Sequence, residues 1–122
     1  MLKELSLFLF VGTISLQVLA EDYKDPNKMS REELAQAQEY GIKHEECMTE
    51  YSMSQIQQQN DIRVVADHSM KHCAPVLEEF YEKIVGWNYP PEFGSFYVSR
   101  ISNRNASRLL SNLMRYMALP RE

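Results

Sequence analysis

The chain has 122 residues, a formal net charge of −4 and a pI near 5.4, with 44% hydrophobic and 25% charged residues. That length holds one domain once a leader is removed, with a core that is sufficient but not generous. A mildly acidic chain with no basic run argues against nucleic acid and anionic membrane as partners.

Lys3 precedes an apolar run over residues 5–19, which ends Val18-Leu19-Ala20 before the acidic Glu21-Asp22. Small residues before the cut, after an apolar stretch of about 15 residues, make residues 1–20 a secretory signal peptide. The run is shorter than the roughly 20 residues a membrane span needs. The expectation is a secreted, extracellular protein, residues 21–122, folded as a single helical domain.

Residues 21–29 read as a polar arm. Ser30-Arg31-Glu32-Glu33 is a capping box that should start a helix. Leu34, Ala37, Tyr40, His44, Cys47, Met48 and Tyr51 follow at spacings of three and four, the helical period. Gly41 marks either a bend or a close helix contact. A second signal over residues 54–57, Ser-x-x-Gln, predicts one short helical turn before Asn60-Asp61 interrupts.

From Ile62 the stripe Val65, Ala66, Met70, Cys73, Val76, Leu77, Phe80 and Ile84 predicts another helix. Pro75 within it should kink or split it. Gly86 sits where the residue after a helix end belongs, and residues 87–91 form a loop. Phe93, Phe96, Tyr97 and Ile101 fit a further helix, a polar patch over residues 102–107 interrupts, and Leu109, Leu110, Leu113, Met114 and Met117 make a last one. With no period-two run and no repeat, the class is all-α, a bundle of four to six short helices.

The two cysteines, Cys47 and Cys73, read as a disulfide in an exported chain. The bridge would close a loop of about 26 residues and stabilise by ~3.5 kcal/mol on a chain-entropy estimate. Two free thiols or a bridge between chains are the alternatives.

Enzyme motifs are scarce: there is no GxSxG, HExxH, Walker loop or GxGxxG, so no catalytic residue and no cofactor is assigned. His68 and His72 stand four apart and could meet one metal ion, but no third ligand is evident and no metal is assigned. Protonation of His44, His68 or His72 near pH 6 could alter packing, though surface positions are the plainer reading. Asn105-Ala106-Ser107 is an N-glycosylation sequon in the most polar stretch, where a glycan would meet solvent. Six methionines remain beyond the leader, with many aromatic residues, a composition that suits core or a small-molecule pocket.

The segment His44-Glu45-Glu46-Cys47, then Met53-Ser54-Gln55-Ile56, then Asp67 through Lys71-His72-Cys73, resembles the first half of an insect odorant-binding protein. Cys47 and Cys73 match that family's first two cysteines. Leu77 stands where the third would fall, and the last three have no counterparts, so a Cys47–Cys73 bridge would be a rearrangement. The resemblance implies about six helices around an apolar cavity and a non-enzymatic carrier of small hydrophobic molecules. Apolar periodicity nominates Met48, Tyr51, Ile56, Met70, Leu77, Phe80, Phe93, Tyr97, Leu113 and Met117 as its walls.

A competing expectation is a secreted helical factor that acts on a protein receptor, with Trp87, Tyr89 and Phe96 as an exposed aromatic anchor. Exposure discriminates the two. A carrier should bury Phe80, Met70 and Met117 around a void, and a contact factor should expose an apolar patch.

Overall fold

The computed structural model describes residues 22–118; the leader expected over residues 1–20 lies outside them. Among the described residues there are no strands and three long helices: α1 (Arg31–Gln55), α2 (Ile62–Gly86) and α3 (Pro91–Ala118), preceded by a 3-10 turn at Pro26–Lys28. Both α1 and α3 pack extensively along α2 and meet each other over a shorter stretch. No helix among the described residues is long and apolar enough to cross a membrane.

The start of α1 is the expected capping box. Ser30 Oγ accepts from the Glu33 amide at 3.1 Å, and the Glu33 carboxylate accepts from the Ser30 amide at 3.0 Å. Two of the helix's orphan donor groups are thereby satisfied. Asp61 starts α2 by accepting from the Arg63 amide at 3.0 Å. Pro91 occupies the first position of α3, where a missing N–H costs nothing, and the Pro90 carbonyl receives the Phe93 and Gly94 amides.

The expected four to six helices are therefore corrected to three. Residues 54 and 55 belong to the end of α1, where Ser54 Oγ donates to the Tyr51 carbonyl at 2.6 Å instead of capping a new turn. Pro75 leaves α2 continuous. Pro75 and Lys71 are both exposed, so the Lys71 carbonyl that loses its partner can bond water. The patch at 102–107 leaves α3 continuous as well. Gly94, Ile101, Asn105, Leu109 and Leu113 form one buried stripe through it, and Ser102, Asn103, Arg104 and Ser107 of the patch fall to either side.

Gly86 is the last residue of α2 and not the one after it. Asn88 takes the left-handed conformation, φ 74°, which asparagine tolerates through its own hydrogen bonds. Its side-chain amide donates to the Asp22 carbonyl at 3.0 Å, and its own carbonyl accepts from the Lys24 amide at 2.9 Å. The N-terminal arm is thus tied to the α2–α3 loop.

The interior has two apolar halves. One gathers Met48, Ile56, Val65, Ala66, Cys73, Leu109 and Leu113; the other gathers Ala37, Leu77, Phe80, Ile84, Tyr89 and Ile101. Cys47 and Cys73 are joined by a disulfide that clamps α1 to α2 beside the first half. Gly41 proves to be a close helix contact: a Cβ there would stand 3.3 Å from Arg104 Nη2 of α3.

Candidate functional site

Between the two apolar halves lies a polar layer. Asn105 Nδ2 donates to the Gly41 carbonyl at 3.1 Å and meets His44 Nδ1 at 2.9 Å. Both side chains are 1% exposed. Burial pushes the His44 pKa below its ordinary value, with Glu45 opposing. In this arrangement His44 is neutral, Nδ1 accepts, and Asn105 Oδ1 has no protein partner. The surface position expected for His44 is corrected: it belongs to the interior, because His44 follows Ala37 and Gly41 on the buried stripe of α1. The surface position expected for Asn105 is corrected likewise. A glycan on Nδ2 would remove one of the two N–H groups that make these bonds and would have to fit at a buried position.

His68 and His72 are exposed, and His72 stacks on Tyr51 with ring centroids 4.1 Å apart. Among the described residues no group of three or more histidine, cysteine or acidic side chains could hold a metal ion.

Nine of the ten residues nominated as cavity walls divide between the two halves of the core, and the tenth, Tyr51, belongs to neither and stacks on the exposed His72. Met48, Ile56 and Leu113 are buried in the first, with Met70 and Met117 packed at its edge. Leu77 and Phe80 are buried in the second, with Phe93 and Tyr97 at its edge. Phe80, fully buried, stacks on Tyr40 at 4.9 Å and takes the edges of Tyr97 and Trp87 at 5.6 Å and 6.4 Å. Three aromatic rings thus pack on Phe80. The aromatic anchor is also redistributed. Tyr89 is 1% exposed and Trp87 is half-buried, while Phe96 stands out at 60%.

Open grooves flank the interior. The first runs between α2 and α3 and encloses about 780 Å³. Met70, Ala74, Leu77 and Tyr81 follow one another along α2 at helical spacing, opposite Val98 and the small Ser95, Ser99 and Ser102 of α3. Asp67 and Lys71, paired at 3.2 Å, and the acids Glu78 and Glu82 complete the lining. Of the nominated walls, Met70 and Leu77 reach this groove. Small serines opposite large apolar side chains are the signal that periodicity alone passed over.

The second groove lies between α1 and α3 and encloses about 730 Å³. Leu34, Gly41, Ile42 and Glu45 of α1 face Tyr97, Arg100, Arg104 and Arg108 of α3.

A second polar cluster locks the arm. Glu33 receives the Lys24 ammonium at 2.8 Å and the Tyr89 hydroxyl at 2.6 Å. Lys24, Tyr89 and the Ser30 amide together hold its carboxyl down to about 2. Burial, reinforced by Glu33, pushes the Tyr89 phenol up to about 12. These charges are satisfied internally, so the cluster serves the fold.

Comparison with known proteins returns no matching family, no similar curated protein and no similar solved structure.

Proposed function

We propose that this chain is a secreted, non-enzymatic binding protein that carries a small hydrophobic molecule in the open α2–α3 groove and not in an interior cavity. The observation that supports the reading is the groove itself. Its volume lies in the range of small-molecule sites, and it joins an apolar wall to a few polar groups. Met70, Ala74, Leu77, Tyr81 and Val98 would meet the apolar body of the ligand, while Asp67, Lys71, Glu78 and Glu82 stay hydrated around it. An open groove covers one side of its guest, so the affinity expected is micromolar and the exchange fast. The resemblance to insect odorant-binding proteins points to the same class of cargo.

The test is saturable uptake of an environment-sensitive apolar fluorophore, displaced by a panel of fatty acids and volatile alcohols. Ala74→Trp should fill the groove and abolish uptake while the helical circular dichroism spectrum is kept. Uptake that is unchanged in this variant would overturn the groove as the site. No saturable uptake by the parent protein would overturn the carrier reading.

A further inference from the structure

Helix α3 carries four arginines, Arg100, Arg104, Arg108 and Arg115, against a single acid, Glu92, in a chain whose net charge is −4. At 3.6 residues per turn these four positions fall within an arc of about 80° and extend over about 22 Å. All are exposed, on the side of α3 that borders α1. Every cation of the row is an arginine, whose planar fork meets a carboxylate through two hydrogen bonds.

The row is little neutralised from within. Arg108 meets Glu45 at 3.4 Å, with both groups substantially exposed. Arg100 lies over the Phe96 ring at 5.7 Å. Arg104 has no carboxylate partner among the described residues, and its guanidinium reaches across α1 at the one position where a glycine leaves room, Gly41. Leu34 and Ile42, each 48% exposed, stand on the opposite wall. The groove thus offers cations one turn apart on one side and branched apolar side chains on the other.

We propose that the α1–α3 groove docks an acidic amphipathic helix of a protein partner, with its carboxylates on the arginine row and its apolar residues against Leu34 and Ile42. Charge complementarity selects the acidic side of the partner. The apolar wall favours a polypeptide over a sulfated polysaccharide, which has no group to place there. The concave form disfavours a membrane surface. A helix laid in a groove is an established recognition mode read through anchors at i, i+3, i+4 and i+7.

The probe is a fluorescein-labelled synthetic helix of about 18 residues, long enough to span the row at 1.5 Å per residue, with glutamates every fourth position flanked by leucines. Fluorescence anisotropy against the oxidised protein should saturate at low salt and weaken as salt is added. The double variant Arg100→Glu, Arg104→Glu should lose at least about tenfold in affinity, since like charges then face one another. Arg104→Gln should lose less, and its helical spectrum and intact disulfide would show that the fold is kept. A probe with lysine in place of glutamate should not bind. Equal affinity of parent and double variant, or no saturation, would overturn the proposal. So would tighter, arginine-dependent binding of a sulfated oligosaccharide or of phosphatidylglycerol vesicles in parallel titrations.

Discussion

The Tyr89 hydroxyl donates to Glu33 at 2.6 Å, joining the first turn of α1 to the loop between α2 and α3 across 56 positions of sequence. Lys24 closes the same cluster from the arm at 2.8 Å. A carboxylate held by three donors favours its charged form, and a buried phenol that donates to it favours its neutral form. The folded value of Glu33, about 2, lies below its ordinary 4.5. Its contribution is therefore complete above 4.5 and fades as the pH falls from there towards 2. The folded value of Tyr89, about 12, lies above its ordinary 10. Its contribution is complete below 10 and fades as the pH rises through 12. Tyr89→Phe should lower stability by about 1.5–3 kcal/mol near neutrality, the usual worth of a hydrogen bond to a charged group. It should also raise the Glu33 carboxyl towards its ordinary value. Urea unfolding from pH 2 to pH 7 checks the first effect and NMR titration of the Glu33 carboxyl carbon checks the second. A variant with unchanged acid sensitivity would remove Tyr89 from the lock.

The His44–Asn105 layer adds a second acid response, at higher pH. Burial depresses His44 below its ordinary 6.5, so its contribution is complete above 6.5 and is lost as the pH falls. Protonation would set a new N–H at Nδ1 against the Asn105 amide, which already donates there. Asn105→Asp should reverse the direction, because a carboxylate 3 Å away stabilises the imidazolium. The His44 ring titration, followed by NMR, should then move upward. Asn105→Ala should cost roughly 1–3 kcal/mol by leaving the buried imidazole without its donor. Mass spectrometry of the folded protein from a glycosylating host should find Asn105 unmodified. A glycan there in a fully folded, His44-buried protein would refute the packing.

The parts of the fold that were legible in sequence are the local ones. The Ser30–Glu33 box needs only neighbouring residues, and the capped start it predicts for α1 is present. The disulfide followed from two cysteines and the oxidising destination expected of the chain, and Cys47 and Cys73 are bonded. Helix continuity was harder to read, because it depends on which side of a helix a breaker falls. Pro75 looks disruptive in sequence and is tolerated where its lost bond faces water. The 102–107 patch looks like a linker, yet the one polar residue that falls on the buried stripe, Asn105, finds its partners on α1. That compensation spans 64 positions and has no local signature. The grooves were invisible for a related reason. Arginines spaced by four, four and seven make no basic run, and they become a row only once α3 is known to be unbroken.

The disulfide should matter more to stability than to the helix count. Cys47→Ala with Cys73→Ala removes a cross-link over 26 positions, for an expected loss of ~3.5 kcal/mol. Such a loss is large against a total of about 5–15 kcal/mol for a domain. Because Cys73 is also 1% exposed within the first apolar half, Cys73→Ser should be worse than Cys73→Ala. Chemical unfolding of the three forms ranks them. Equal midpoints for the bridged and alanine proteins would mean that packing alone holds α1 to α2.

Two helical glycines should respond oppositely to the same added methyl group. In helix interiors alanine is favoured over glycine by about 1 kcal/mol. At Gly41 the new Cβ meets only the tip of Arg104 at 3.3 Å, and a flexible guanidinium can move aside at little cost. Gly41→Ala should therefore raise the melting temperature by roughly 4–8 °C, the shift expected for 1 kcal/mol in a domain of this size. It should at the same time weaken the acidic helix probe, because Arg104 is displaced from its seat. At Gly94 the new Cβ meets two carbons of the Tyr81 ring at 3.1 Å, with Ile84 behind at 3.6 Å. A ring packed against a neighbouring helix yields less readily than a side-chain tip, so Gly94→Ala should gain nothing and lower stability instead. Thermal unfolding of both variants decides the matter. If Gly94→Ala proved as stabilising as Gly41→Ala, α2 and α3 would not approach as closely as Gly94 and Tyr81 do here.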